Sequence, residues 1–599
     1  MLACWRVTPS LSNEYRRGFC CRAEDQQTVS NGLVRNKKKV LVVGSGWAGL
    51  GAAHHLSKQG FDVTVLEGGY DSGPNRLISS PDDFGIRGLW YPYRNIFNLV
   101  DELGIKPFTN WMKSAQYSGE GLEVEFPIFQ DLPQWPTPFG TLFYTEFTRL
   151  PWVDRLTSLS LMAAVVDFDN TDTSWRKYDT SKDYQVHVVW RTPSGLTKNF
   201  PLRSSHLRRI HCYSVQILIY LRRDPLPADG LLRLHIKRGT SPTVSLSARL
   251  PRGSFSDNLA ARRGFYEDVF NPLLQVGLFA PAERCSAAAT LGILYYYILA
   301  HQKDFDLVWC RGTVKEKIFE PWMESMKNQG CKFLEGRRVT DVFVNRENGC
   351  ISEVICGKES LKADAVILAV GISTLQEIIQ NSAALCTREE FLKVMNLATV
   401  DLLTAKLKLD TKVKIPNASN ACSGFNDSIG WTFFDLNSIY DEHKDDTVTF
   451  VQADFFHANE LLPLKDDDVA TKAVSYLSRC VKDFENATVI DKEIGRFPKS
   501  LTHFFPGSYK YAMRGSTSFP NLFMAGDWII TRHGSWSQEK AFVTGLEAAN
   551  RVVDYLEEGS FARIIPVEED EPHIQALRSL NRNLNDIIAQ LPWSNYFIR

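Results

Sequence analysis

The twelve cysteines of this 599-residue chain include no C-x-x-C pair. That lack argues against a zinc site or a disulfide framework and fits a reducing compartment. An excess of one charge is also missing, since 68 Lys+Arg stand against 69 Asp+Glu for a net of -1. A chain so balanced is no bulk nucleic-acid binder. Long apolar runs are absent too. The longest uncharged apolar stretch, Cys285 to Ala300, has 16 residues, short of the ~20 that cross a bilayer, and reads as a buried helix. No nucleophile, metal-ligand or phosphate-transfer motif is present. Hydrophobic residues at 44% and charged residues at 23% are globular proportions and exclude wholesale disorder.

The charge is unevenly spread. Residues 181–258 hold 13 Lys+Arg and 4 Asp+Glu, together with His187, His206, His211 and His235. No helical or strand period persists there. Three readings stay open: a basic insertion that meets an acidic partner or membrane, a disordered loop, and a segment foreign to the folded protein, such as translated intron. Residues 1–37 have no apolar h-region. They carry Arg6, Arg16, Arg17, Arg22 and Arg35 against Glu14, Glu24 and Asp25, the composition of an organellar transit peptide or of a disordered tail.

The first chemical signal starts at Lys38. Val40 to Val43 is an apolar β-branched run, Gly44, Gly46 and Gly49 form G-x-G-x-x-G, and Ala52, Ala53 and Leu56 continue at helical spacing. Phe61 to Leu66 is a second strand that ends at Glu67. Gly44 permits the tight turn, Gly46 lets the backbone approach a pyrophosphate, and Gly49 allows close helix–strand packing. The helix N-terminus offers N–H groups to phosphate. Glu67, 18 residues after Gly49, is placed to accept hydrogen bonds from an adenosine ribose. Together these parts predict an adenine dinucleotide site.

At the other end of the chain, Leu522 to Ala525 is an apolar strand, Gly526-Asp527 follows, and a helix is expected from about Ser537 to Leu556. Here the sequence resembles the flavin-containing amine oxidase superfamily, especially its plant carotenoid-desaturase-like branch of zeta-carotene and phytoene desaturases. Phe84–Ile105, Phe265–Leu291, Ala363–Gly371 and Ser500–Tyr511 resemble further segments of that branch. The resemblance covers about 38–179 and 259–560. It implies FAD as cofactor, with Gly526 and Asp527 at the ribityl or phosphate region, Val339 at the adenine, Arg76 as a phosphate cation, and Glu539 on the helix that points at the flavin. Two departures stand out. Lys540 replaces the usual Gly of a Met-Glu-Gly-Ala run, and Pro74 follows Gly73 in the loop expected over the pyrophosphate, where Pro cannot donate an N–H.

The fold class implied is α/β, a Rossmann-like FAD-binding domain of the GR2 type interleaved with an α+β substrate-binding domain. The FAD domain is expected over 38–110, 300–375 and 515–557, and the substrate domain over 111–180, 259–299 and 376–514. A tail, 558–599, carries Ile574, Leu577, Leu580, Leu584, Ile587 and Leu591 at the spacing of an amphipathic helix, suited to docking on a membrane surface or packing on the body.

The activity implied is FAD-dependent desaturation of an apolar, isoprenoid- or carotenoid-like small molecule, with quinone or oxygen as electron acceptor. Plastids, the chloroplast above all, are the expected location, and a soluble intracellular one the alternative. Alternatives for function are an amine oxidase of the same fold, a flavin-dependent carotenoid isomerase, and a non-catalytic chain unable to retain FAD. Candidates near the flavin are Trp90, Trp536 and His533; the ordinary pKa of His suits proton transfer. Packing for the two Trp, and a hydrogen-bonded loop position for His533, are the plainer readings.

Overall fold

The computed structural model describes residues 37–69, 88–151, 155, 165–168, 170–179, 187–191, 216–220, 243–246, 269–299, 301–423, 425 and 429–590. Lys38–Arg599 form one compact unit. The transit-peptide reading of 1–37 and the loop with Gly73, Pro74 and Arg76 fall outside the described residues.

Strands β1 (Lys39–Val43), β2 (Asp62–Glu67), β3 (Ser114–Ser118), β4 (Gly121–Phe126), β5 (Glu146–Phe147), β6 (Lys332–Glu335), β7 (Ala365–Leu368), β8 (Ala398–Leu409), β9 (Ser419–Cys422), β10 (Gly430–Asp435), β11 (Phe450–Phe456), β12 (Val489–His503) and β13 (Leu522–Met524) build the two main sheets. The helices used below are α1 (Trp47–Lys58), α2 (Arg94–Leu103), α3 (Ala287–Leu294), α4 (Asp466–Cys480), α5 (Gln538–Leu556) and α6 (Pro572–Gln590).

The first sheet runs β6-β2-β1-β7-β13, parallel throughout. Its strands come from three separated stretches of chain. Val40 to Val43 are buried, as expected of a central strand covered on both faces. The chain leaves β1 toward β2 and β6, then returns on the other side through β7 and β13. That reversal puts a topological switch point between β1 and β7, the place where open α/β sheets bind their ligands. Helix α5 lies against α1 because Gly545 has no side chain: an added Cβ would run into the Ala48 carbonyl.

The second sheet runs β12-β8-β11-β10-β9-β3-β4-β5, antiparallel except where β9 meets β3. Trp431, Phe433 and Phe455 are fully buried in its core, and Trp431 stacks on Phe455 at 5.7 Å. Helix α4 lies across this sheet. Within the basic block, His187–Arg191, Gln216–Tyr220 and Thr243–Leu246 form three short strands that, among the described residues, pair only with one another. The charge pattern and missing period of that block gave no sign of them.

The apolar stretch from Cys285 is the buried helix α3, prolonged as a π-helix over Tyr295–Leu299. No described helix is long and apolar enough to cross a membrane. Helix α6 is the helix expected in the tail. Ile574 is buried, but Leu577 and Leu580 are about half exposed, at 48% and 55%. Polar contacts hold the start of α6 instead: Glu571 accepts from Thr137 N at 2.9 Å, and Arg578 Nε donates to the Val166 carbonyl at 2.8 Å.

Candidate functional site

At the switch point, Gly44 turns the chain with φ +103° and donates its N–H to the Leu66 carbonyl at 2.8 Å. An added Cβ here would meet the Ala369 carbonyl, and one at Gly49 would meet the Gly44 carbonyl. Gly46 differs, with nothing within 4 Å of where its Cβ would point. Open space therefore faces the N-terminus of α1, as a pyrophosphate requires. Trp47 Nε1, buried beside this turn, has no partner among the described residues.

Glu67 ties the loop together. Its carboxylate accepts from Ser45 N at 3.0 Å, Ser45 Oγ at 2.6 Å and Gly69 N at 2.8 Å. A carboxylate has about four acceptor sites, so capacity for a ribose hydroxyl remains. The Arg337 N–H bonds the Glu67 carbonyl at 2.8 Å, which brings the segment with buried Val339 alongside.

The other end lies where β13 leads into α5. Gly526, with φ +146°, exchanges hydrogen bonds with Thr544 Oγ1 at 3.0 and 3.1 Å. Burial pushes the Asp527 carboxyl up, opposed by the Lys540 ammonium. Ser537 caps α5 by accepting from Lys540 N at 2.8 Å. The Lys540 side chain is 4% exposed. Its Nζ donates to the carbonyls of Gly534 and Ser535 at 3.3 and 2.8 Å and forms no ion pair among the described residues. Burial lowers it to about 8, and Asp527 and Glu547 act on it only through space. His533 is also buried, and neither ring nitrogen has a partner among the described residues. Burial pushes it down to about 4, helped by Lys540 and Arg532. The ordinary pKa that recommends His as a proton carrier therefore does not hold here, and neither does the hydrogen-bonded loop position.

Glu539 lies in the first turn of α5, on the helix where it was expected. Its carboxylate accepts from Asn95 N at 2.8 Å, Asn95 Nδ2 at 2.7 Å and Ile96 N at 3.0 Å. It sits on the N-terminus of α2, where the helix dipole favours an anion, and braces α5 against α2 rather than facing open space. Burial raises its carboxyl to about 7. Trp90 packs between Tyr297 at 4.9 Å and Phe305 at 5.0 Å, the plainer of its two readings. Trp536 donates from Nε1 to the Gly277 carbonyl at 2.6 Å. Its own carbonyl accepts from Tyr297 Oη at 3.3 Å, and the chain of bonds continues through Tyr93 to Gln538 Oε1. Tyr297 has no motif around it, and sequence reasoning missed it.

A small cavity of about 30 Å³ lies beside the α5 N-terminus, lined among others by Trp175, Asp179, Ser286, Tyr509, Trp528 and Lys540. Trp175 and Tyr509 stack at 5.2 Å. Buried Asp179 accepts from Ser286 Oγ, Gly507 N and Tyr509 N, and burial lifts it to about 6. It too was missed, since its partners lie more than 100 residues away.

The open face of Gly46, the unpartnered nitrogens of His533 and Trp47, and the unpaired Lys540 fit a polar dinucleotide spanning both ends. A family model described as flavin containing amine oxidoreductase matches residues 221–553, more than half of the chain and beginning inside the basic block. A model of the NAD(P)-binding Rossmann-like domain matches 42–103. Over 79 residues the chain is 49% identical to lysine-specific histone demethylase 1 homolog 3 of Arabidopsis thaliana; the stretch is 12% of this chain, which spans 4% of that protein's length. Cyclohexylamine oxidase from Brevibacterium oxydans IH-35A shares the fold, with TM-score 0.54 at 11% identity over 87% of this chain and 100% of that one. Putrescine oxidase bound to putrescine gives 0.53 at 14% identity over 87% and 99%. With its parallel nucleotide sheet, glycine turn and matching family model, the chain belongs to the flavin-containing amine oxidoreductase family.

Proposed function

We propose that this chain is an FAD-dependent oxidoreductase that takes hydride from a substrate carbon, and that its substrate carries an amine. Family membership supports the first part. The second rests on one observation: groups of both charges, Asp179 and Lys540, line the cavity beside the α5 N-terminus. Asp179 accepts from three donors and Lys540 donates to two carbonyls, but neither has an ion-pair partner among the described residues, and a pure hydrocarbon bound there would supply none. An amine offers Asp179 a donor, and at neutral pH a carboxyl with a pKa of about 6 is mostly ionised. The fold relatives named above act on amines by name, which supports the same reading.

When bound, FAD supplies the hydride acceptor. The chain's own part is binding and electrostatics. The turn of Gly44, Gly46 and Gly49 and the α1 N-terminus take the pyrophosphate, Glu67 the ribose, the Val339 backbone the adenine, and Asp527 the ribityl or phosphate region. Desaturation of an isoprenoid-like chain is the second reading. It is favoured by the desaturase-like segments and by the aromatic row Trp536–Phe279–Phe456, with ring separations of 4.8 and 5.1 Å.

The test is anaerobic mixing of flavin-loaded protein with primary amines, or with carotenoids in detergent. Bleaching of the flavin band by amines, and peroxide on admitting air, is the expected result. Bleaching by carotenoids alone would reverse the order of the two readings. Isomerised carotenoid with no net oxidation would replace both, and a protein that never retains flavin would end the enzymatic reading.

A further inference from the structure

The second sheet and the helix across it hold two thiols that the proposed flavin chemistry does not use. Cys422 is the last residue of β9 and Cys480 the last of α4, and their Sγ atoms lie 3.9 Å apart. The two positions are unequal. Cys422 is fully buried in the core that also holds Tyr117 and Phe433, whereas Cys480 is half-buried at the end of its helix.

We propose that Cys422 and Cys480 are a peroxide-reactive dithiol site that closes to a disulfide and pins α4 to the central strands of the second sheet. A disulfide needs sulfurs about 2 Å apart, so the pair must close by roughly 2 Å. Cys480 can supply that movement, because the last residue of a helix is held by fewer backbone bonds than the interior ones. Helix α4 crosses the sheet, with Tyr476 against Trp431 at 5.6 Å, so the bond would join two elements already in register.

The oxidant is hydrogen peroxide, the by-product expected when a flavin oxidase is reoxidised by oxygen. Cys480, the sulfur nearer to solvent, attacks one peroxide oxygen. The O–O bond breaks, Cys480 becomes a sulfenic acid, and the thiol proton leaves with the other oxygen as water. The Cys422 sulfur then displaces the hydroxyl from Cys480, and its own proton completes a second water. Two thiols are oxidised by two electrons, and one peroxide is reduced to two waters. Burial holds the Cys422 thiol well above its ordinary range, which protects it from direct attack and leaves it as the resolving partner. An added dithiol reverses the bond.

The site stands apart from the substrate reading, because the experiment supplies the peroxide. Reduced full-length protein is treated with a small excess of hydrogen peroxide, alkylated and digested for mass spectrometry. The expected product joins the Cys422 and Cys480 peptides with the loss of two hydrogens and reverts with dithiothreitol. Its formation should raise the melting temperature by roughly 5 °C. In Cys480→Ser both the cross-link and the shift should vanish, with Cys422 still unoxidised. Cys480→Ala checks that any loss of folding does not come from the serine hydroxyl. Recovery of both thiols fully alkylated after peroxide would overturn the proposal. So would over-oxidised Cys480 without a cross-link, or oxidation of Cys422 at an undiminished rate in Cys480→Ser.

Discussion

At the pyrophosphate end of the nucleotide site, Gly44, Gly46 and Gly49 present backbone and open space, and the Glu67 carboxylate has three donors on it. At the α5 end the surroundings are ionisable side chains, buried and underpartnered: Lys540 without an ion pair, His533 with two idle nitrogens, and Asp527 raised by burial. At the first end the carboxylate is satisfied and only the Trp47 Nε1 lacks a partner among the described residues. The second carries a cost that ordinary core packing would have removed. Buried groups left so are the mark of a place shaped for a ligand and its chemistry rather than for stability.

The largest blow to the comparison is expected at the glycine turn. Gly49→Val drives a side chain into the Gly44 carbonyl and should weaken FAD retention at least 100-fold, about 3 kcal/mol, as read from flavin released on denaturation. Retention at the unmodified level would mean that the turn is not the cradle. At the other end, His533 sharpens the contrast through pH. Its folded-state pKa of about 4 lies below the ordinary 6.5, so the unfolded chain takes up a proton that the folded one refuses. Stability then falls as pH drops from 6.5 to 4, by about 3 kcal/mol, and His533→Phe should lose that part of the slope in flavin-free denaturation curves.

Lys540→Met should stabilise the flavin-free protein by about 2 kcal/mol at pH 7, because it removes a buried, unpaired cation. The folded pKa of about 8 lies below the ordinary 10.5, so the parent protein gains stability between pH 8 and 10.5 and the variant does not. The same substitution should weaken flavin binding, a pairing of gain and loss that a merely structural lysine would not give. The smallest effect belongs to Trp90→Phe. The ring packs between Tyr297 and Phe305, so melting should change by no more than about 1 kcal/mol with flavin content unaltered.

The legible parts of the site are those that local backbone rules govern. The strand–turn–helix from Lys39, the acid at Glu67 and the capped helix after Ser537 each follow from residues within one supersecondary unit. What stayed illegible depends on contacts across the chain. Glu539 is placed on the flavin helix by the family resemblance, but its hydrogen bonds to Asn95 and Ile96, more than 440 residues away, could not be read from the sequence. Asp179 and Tyr297 have no motif, and only the packing of α3, α5 and the 507–509 turn gives them roles. The pKa of His533 was misread for the same reason, since an imidazole's pKa is set by its burial and charged neighbours, which the sequence places only after folding. The resemblance to carotenoid desaturases reached the fold and cofactor class, but the charged lining of the cavity comes from Asp179, which has no motif, and from Lys540, where this sequence departs from the motif.

The most direct test of a site that spans both ends is the visible spectrum of purified full-length protein, with the flavin identified and counted after denaturation. Close to one FAD per chain, retained through gel filtration, is the predicted result. Absence of flavin even after incubation with excess FAD would contradict it, and would leave the buried Lys540 and His533 without the partner their arrangement calls for.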